Sequence, residues 1–438
     1  MAQGGNVEIE DSAGEDMHAL ARELFPLCRS LTGDGTRATL RRIGDHLPGL
    51  ELFEVPSGTA VFDWTVPDEW NIRSARLVNP EGRVVADFAV SNLHVVGYSE
   101  PVDRELSLDE LQPHLYSLPE QPDAIPYVTS YYKRRWGFCL QHRVREGLKP
   151  GKYRAVIDAT LAPGHLSYGE LVVPGAEKKE IFVSTYVCHP SMANNELSGP
   201  MVATWLAKWV RAAPRRYTYR FVFIPETIGS ITYLSRHLAH LKAHVVAGFN
   251  VSCVGDERVY SFLPSRNGDT LADRVARHVL GHTDPHYVRY SFLDRGSDER
   301  QYCAPGIDLP LCVFSRSKYG AYPEYHTSLD DLRLVTAAGL QGSLTALVRC
   351  LVCLEANRTY RTTVLCEPQL GKRGLYPTVS TKNSPEHPAN MMHLLAHADG
   401  RHDLLAIAEL TGIPAWDLVG VVEKLAAHSL LTELAAPA

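Results

Sequence analysis

The sequence has no long apolar run: no window approaches the roughly 18 uninterrupted apolar residues that a membrane span needs, so an aqueous setting is expected. It also lacks a basic surplus. Its 44 Lys and Arg stand against 50 Asp and Glu, a formal charge of −6 that offers no global footprint for nucleic acid. Short runs such as Lys133-Arg134-Arg135 and Arg215-Arg216 read as solvated faces. Met1 to Asp16 is polar and acidic, without a basic start and apolar core, so no secretory signal and a cytoplasmic location are expected. Cysteine is sparse, and its 9 copies are odd in number and scattered, which argues against a disulfide framework. Cys188, Cys253, Cys312 and Cys350 lie in apolar runs and read as reduced, buried thiols. Cys350 and Cys353 form a CxxC without a second pair, and in a helical context they read as core thiols rather than a redox or metal site.

What is present is ordinary globular material. Hydrophobic content of 45% and charged content of 21% are near average usage, and 438 residues suit two or three domains. Residues 15–47 read as helices, with a Gly33-Asp34-Gly35 turn between them. From about residue 56 the texture becomes short strands separated by turns, at Arg76–Val78, Arg83–Phe88, His94–Val96, Gly137–His142 and Arg154–Asp158. Among these lies Leu115–Tyr132, whose prolines forbid regular helix and whose aromatics invite burial; such a loop is suited to covering a site.

From Glu180 apolar strands alternate with amphipathic helices. Strands are expected at Ile181–Val187, Tyr217–Ile224, Val245–Cys253 and Leu311–Phe314, with helices at Gly199–Val210, Ile231–His240, Leu271–Leu280 and Leu332–Ala356. That alternation predicts an α/β fold with a mostly parallel sheet flanked by helices, whose sites lie at the carboxyl ends of the strands. After a linker at Gly371–Pro388, Leu404–Val422 reads as helix, glycine turn and helix, a winged-helix pattern. Its second helix offers Trp416, Asp417 and apolar residues instead of arginine, lysine or amides, so packing or a partner is favoured over DNA. The expected domains are a core at 15–55 and 160–370, a β-rich insert at 56–159 and a winged helix at 385–438.

Three loop tips carry the chemistry. The β-branched run ending in Val187-Cys188-His189 stops at a histidine and passes through a polar turn into a helix; Phe221–Ile224 ends in Pro225-Glu226; Tyr325-His326 supplies a second histidine. Two histidines and a glutamate at strand ends suggest zinc-assisted hydrolysis.

Asp63–Trp70, Asn92–Ser99, Cys188–Pro200, Pro225–Ser230, Cys253–Asp256, Gly296–Tyr302 and Tyr325–Asp331 together resemble a family of aminopeptidase-like proteins catalogued as a domain of unknown function. Its members combine a zinc-peptidase-like core, an inserted β domain and a carboxy-terminal winged helix, and the resemblance covers nearly the whole chain. It implies a core similar to the two-zinc aminopeptidases and a link to polysaccharide or specialised-metabolite biosynthesis. By that resemblance His189 and His326 match the two histidine ligands and Glu226 the general base. Asn194 falls on the bridging aspartate, Thr227 on a ligand glutamate and Ser252 near a later aspartate, so three carboxylate ligands are missing. Glu196, Asp256, Asp298 and Glu299 are the nearby replacements, and a rearranged site or a single Zn2+ is expected.

A catalytic zinc takes imidazole and carboxylate ligands and keeps a position open for water. His189, His326 and Glu196 would meet that need, although Glu196 could equally cap the helix opening near Leu197. Glu226 is read as the base that takes the water proton, against the bland reading of a carboxylate at a helix start. Asn194, Asn195 and Tyr325 are assigned to substrate, Tyr325 walling either the cleft or the core. Glu299 and Arg300 are read as holding the substrate's amine and carboxylate, unless Gly296–Tyr302 is only a solvated turn. Asp256 serves a chain turn, while Asp330 and Asp331 serve a helix start and a partner for His326. The expected function is a zinc-dependent hydrolase of an amide or peptide bond in a small substrate, with a homo-oligomer left open. The alternative is a degenerate peptidase fold that binds a glycan or peptide.

Overall fold

In a computed structural model of the chain, residues 9–375 and 386–434 are described. Their largest sheet has eight strands in the order Glu51–Pro56, His165–Val173, Tyr217–Ile224, Glu177–Tyr186, Val245–Val251, Leu311–Ser315, Ser261–Leu263 and Val288–Arg289. The four strands from Tyr217–Ile224 to Leu311–Ser315 are mutually parallel, and antiparallel strands flank them. Parallel strands are covered on both faces and need continuous apolar runs. Ile181 to Tyr186 and Phe221 to Ile224 are such runs, buried throughout. The covering helices are Ser198–Arg211, Ile228–His244 and others, and each parallel strand therefore ends at one common edge. His189, Glu226 and Cys253 follow three of these ends directly, and His326 follows the fourth by a longer loop.

Helix Ser198–Arg211 approaches the sheet closely at Gly199, where a Cβ would stand 2.4 Å from both the Val251 carbonyl oxygen and Thr185 Oγ1. Two sequence expectations shift by a turn. The second helix begins at Asp34 and contains Gly35, because Gly33 alone supplies the left-handed turn at φ 98°, and Gly35 is needed where the Cys28 carbonyl lies against it. The helix expected from Leu332 begins at Ala337: Asp331 accepts the Arg333 N–H at 2.8 Å and Thr336 Oγ1 accepts the Gly339 N–H at 2.9 Å, which caps a later start. Helix Ala337–Ala356 is long and apolar enough to cross a membrane, and 67% of its most apolar window is buried inside the protein, as in a core helix.

Between Pro56 and His165 the chain builds a four-stranded antiparallel sheet in the order Val84–Asp87, Glu69–Val78, Lys152–Ala162 and Val102–Ser107. Tyr153, Ala155, Ile157 and Ala159 alternate inward along one strand, the period-2 signature of a half-buried sheet. The expected strand at His94–Val96 is instead a short 3-10 turn, Asn92–His94, followed by a single bridge from Val95 to Phe138. From this insert the segment Ile125–Tyr127 crosses to the main sheet's edge, where Pro126 pairs with Thr327 and Tyr127 N–H donates to the His326 carbonyl at 2.8 Å. Both sheets lie in one compact unit, residues 10–273 and 286–344.

The second compact unit gathers residues 274–285 with the described part of 345–434. Thr359–Thr362 is the central strand of its sheet, between Asp399–Asp403 and Leu431–Glu433, so this unit recruits chain well before the winged-helix start expected at residue 385. Helices Leu404–Thr411 and Ala415–Ala427 are joined through Gly412 at φ 70°. Trp416, at the start of the second helix, packs edge-on against His278 and His282, with the Arg349 guanidinium 4.9 Å from its ring centre. All 9 cysteines are free, and Cys350 and Cys353 are buried.

Gly199→Ala is expected to cost about 1–3 kcal/mol, since a rigid carbonyl on the neighbouring strand cannot yield; urea unfolding measures it. His278 gives a pH signature. Its Nε2 accepts the Ala415 N–H at 2.9 Å, which requires a bare nitrogen, and burial with the nearby His282 charge lowers its pKa to about 4. An unfolded histidine takes its proton near 6.5, so this contribution is intact above that pH and is lost as pH falls from about 6.5 to 4. The loss is on the order of 3 kcal/mol. Thermal unfolding across that range should show it, and His278→Gln, which keeps an acceptor without the titration, should flatten the slope.

Candidate metal site

The edge loops are held in unusual backbone conformations by buried hydrogen bonds. Of nine non-glycine residues with positive φ among the described residues, Ser191, Thr227, Cys253 and His326 lie in these loops. Such strain persists only where surrounding contacts over-determine it, and it gathers at functional sites. After Ser191 the chain makes a π-helical turn, Ala193–Leu197, before the helix Ser198–Arg211. The Asp330 carboxylate ties that turn down: it accepts the N–H groups of Asn194 at 2.6 Å and Asn195 at 2.9 Å, and the Tyr322 hydroxyl at 2.8 Å. Asp330 therefore fixes the turn and is not the expected partner of His326. Asn194 clips the next loop, accepting from Gly255 N–H at 2.8 Å and donating to Asp256 at 3.0 Å. With both ends of its amide engaged and no exposure, Asn194 has nothing left for the substrate role expected of it. Asn195 donates to the Tyr186 hydroxyl at 2.8 Å, and its buried Oδ1 has no protein partner.

The π turn carries Glu196 back beneath His189. One Glu196 oxygen lies 2.6 Å from His189 Nδ1 and the other accepts the Cys188 N–H. Both oxygens are thus occupied on the Nδ1 side of the ring, and Glu196 stands as the group that orients His189, not as the ligand the sequence suggested. Arg29 completes this layer. Its fully buried guanidinium donates to the carbonyls of His189 at 3.1 Å and Leu24 at 2.6 Å. Burial disfavours the charged form of both His189 and Arg29. For His189 the Glu196 charge and hydrogen bond, with Glu226, outweigh burial and raise the pKa; for Arg29 burial prevails and lowers it.

With Nδ1–H donated to Glu196, Nε2 is the nitrogen of His189 that carries the lone pair once the ring gives up its second proton, as a metal ligand must. That nitrogen faces Glu226, 3.7 Å from its carboxylate, and the His326 ring, whose centre is 5.3 Å from that of His189. His326 Nε2 is buried without a hydrogen-bond partner, and burial, then the His189 charge, pushes its pKa down to about 3. It is a neutral imidazole. Tyr325 stacks on it at 3.9 Å, while Tyr127 from the insert sets its ring against both histidines, 5.1 Å from each centre. Burial raises the Glu226 pKa against the opposing charges of His189 and Arg300.

The donor set suits zinc: two imidazole Nε2 nitrogens, that of His326 a buried atom without a partner, beside a carboxylate. A second cluster, Cys188, His189 and Glu196, brings its ligand atoms within 4.8 Å of one another. It suits a metal less well, because burial keeps the Cys188 thiol protonated, its Sγ accepts the Glu226 N–H at 3.2 Å, and Glu196 is already spent.

The neighbouring loop holds the remaining expected residues. Glu299 is wholly buried; it accepts from Gly296 N–H, Ser297 N–H and the Tyr319 hydroxyl at 2.8, 3.0 and 2.6 Å, and its other oxygen takes Asn250 at 3.3 Å. It builds the loop and cannot meet a substrate amine. Arg300 is exposed and donates to Thr227 Oγ1 at 2.7 Å. Asp298, pushed up to about 8 by burial and then by Glu226, accepts from Thr227 N–H at 2.7 Å and Ser230 at 2.8 Å. Asp256 accepts from Arg258 N–H and from both the N–H and hydroxyl of Ser317, which makes it the loop anchor expected of a turn residue. Sequence reasoning missed Arg29 and the hydrogen-bonding role of Cys188; Tyr127 lay inside the proline and aromatic segment read as a cover.

A family profile described as Domain of unknown function (DUF4910) matches residues 18–357, and one described as winged helix-turn-helix matches 358–433. A Clostridium acetobutylicum protein, provisionally named for polysaccharide biosynthesis with an aminopeptidase-like domain, is 43% identical over 409 residues, 93% of this chain and 94% of that one. A crystal structure of a provisionally named peptidase from Clostridium acetobutylicum is 41% identical, with a TM-score of 0.91 over 97% of this chain and 98% of that one. The zinc aminopeptidase BSAP of Bacillus subtilis matches with a TM-score of 0.53 at 13% identity, over 76% and 93% of the two chains. A peptidase M28 precursor of Shewanella amazonensis matches at 0.55 and 12%, over 82% and 95%. The last two show the fold alone. The chain belongs to the DUF4910 family, an aminopeptidase-like α/β fold followed by a winged helix-turn-helix.

Proposed function

We propose that this chain is a zinc-dependent hydrolase of an amide or peptide bond in a small substrate, with His189 Nε2 and His326 Nε2 as the imidazole ligands and Glu226 as the general base. The observation that carries the reading is the buried, unpartnered Nε2 of His326 beside a histidine whose own Nε2 is freed by Glu196. When bound, zinc polarises a scissile carbonyl and lowers the pKa of a water toward roughly 7. Glu226 accepts the proton of the attacking water and passes it to the leaving nitrogen, a transfer favoured by the burial that raises its proton affinity. Tyr127 excludes bulk solvent from the two rings. The names of the Clostridium relatives, a peptidase and a protein of polysaccharide biosynthesis, agree with an amide in a biosynthetic intermediate.

A second reading, a binding module on a degenerate peptidase fold, is favoured by one observation: Asn194 and Thr227, where the resembled enzymes carry carboxylate ligands, are engaged in loop hydrogen bonds. For the winged helix we propose packing over DNA binding, since Trp416 is occupied by His278, His282 and Arg349.

Zinc-edge anomalous scattering and metal analysis should find zinc between His189 and His326, and His326→Ala should abolish it. Glu226→Gln should keep the metal and lose about 10²-fold or more in amide hydrolysis. Zinc without turnover of any amide would favour the binding module, and an absence of zinc would end the hydrolase reading. Glu196→Gln should weaken zinc affinity about 10–100-fold. It should also cost the metal-free protein about 1–3 kcal/mol in urea unfolding, because the buried His189 Nδ1–H loses its charged acceptor.

A further inference from the structure

We infer that the site selects amides bearing a carboxylate next to the scissile nitrogen, bound by Arg300, and does not select a free substrate amine. This rests on the hydrolase reading and narrows its substrate class. The charge inventory around Glu226 is one-sided. A substrate ammonium is held best by an accessible carboxylate, and most carboxylates near this site are engaged in loop hydrogen bonds. Glu299 has both oxygens bound inside its loop, Glu196 holds His189 and Cys188, Asp330 holds the π turn, and Asp256 anchors Ser317 and Arg258. Asp298 has one oxygen bound by Thr227 N–H and Ser230, and its other oxygen, though without a partner, is fully buried and out of a substrate's reach. Only Glu226 remains, and the hydrolytic step needs it.

Arg300 is the opposite case. Its guanidinium is exposed, makes one hydrogen bond, to Thr227 Oγ1 at 2.7 Å, and pairs with no carboxylate among the described residues. It is close enough for its charge to act on both Glu226 and Tyr325. Five N–H donors with one of them used leave a fork open for a carboxylate. Position decides which part of the substrate carries that carboxylate. Glu226 delivers its proton to the leaving nitrogen, so an anion held beside Glu226 lies on the leaving-amine side. Tyr127 and the pairing of Pro126 with Thr327 cover the two histidines. The substrate is then an N-acylated amino acid or the carboxy-terminal residue of a short peptide.

Calorimetry on the full chain, zinc-loaded and metal-stripped, tests this with N-acetyl-L-leucine, its neutral analogue N-acetyl-L-leucinamide, the dipeptide alanyl-leucine and the free-amine probe L-leucinamide. In both metal states N-acetyl-L-leucine should bind at least tenfold tighter than its amide. Arg300→Gln should erase that preference and Arg300→Lys should keep part of it, which separates loss of charge from loss of fold. Comparing alanyl-leucine with N-acetyl-L-leucine tells the peptide source from the acylated one. Equal affinity for acid and amide, no binding of the acid, a preference for L-leucinamide, or indifference to Arg300→Gln overturns the inference. Discrimination without turnover leaves it standing and ends the hydrolase reading; turnover of L-leucinamide that is independent of Arg300 does the reverse.

Discussion

The site depends on one buried hydrogen bond, from His189 Nδ1 to Glu196. It fixes which nitrogen of His189 faces the cleft, and it sets a negative charge where no water can screen it. Arg29, equally buried, lies near enough to feel that charge and grips the His189 carbonyl. Together they hold the loop in a single conformation, and the strained backbone at Ser191 and the π turn after it follow from bringing Glu196 beneath the ring.

The resemblance drawn from the sequence implied carboxylates gathered around metal. In the structure this chain turns its acidic groups to loop architecture: Asp330 on the π turn, Asp256 across three loops, Glu299 inside its own. The imidazoles are left as the principal nitrogen donors, in a pocket closed on one side by aromatic rings.

Much of this was legible in the sequence, and the limits have physical causes. Tyr217–Ile224 was read to the residue because a doubly covered strand has to be apolar along its length. His189, Glu226 and His326 come together because parallel strands end at one edge. The helix starts at Asp34 and Ala337 were misplaced because caps and close backbone contacts, not periodicity, decide where a helix begins. Glu196 was placed at the metal because spacing along the chain cannot tell the Nδ1 side of a ring from the Nε2 side; the π turn decides that, and nothing in its composition announces it. Arg29 gave no signal, since a lone cation after a helix looks like any solvated charge. Glu299 and Asn194 were assigned to substrate because partners 20 to 61 residues away cannot be seen from a motif.

The bridge between Pro126 and Thr327 has an evolutionary meaning. It welds the insert to the loop that presents the second imidazole, so the insert is structurally a wall of the cleft and not a passenger domain. A descendant that shed it would keep its catalytic motifs intact and yet open both rings to bulk water. Selection on the insert's cover loop and on the histidine loop is therefore coupled, and the two should drift in step.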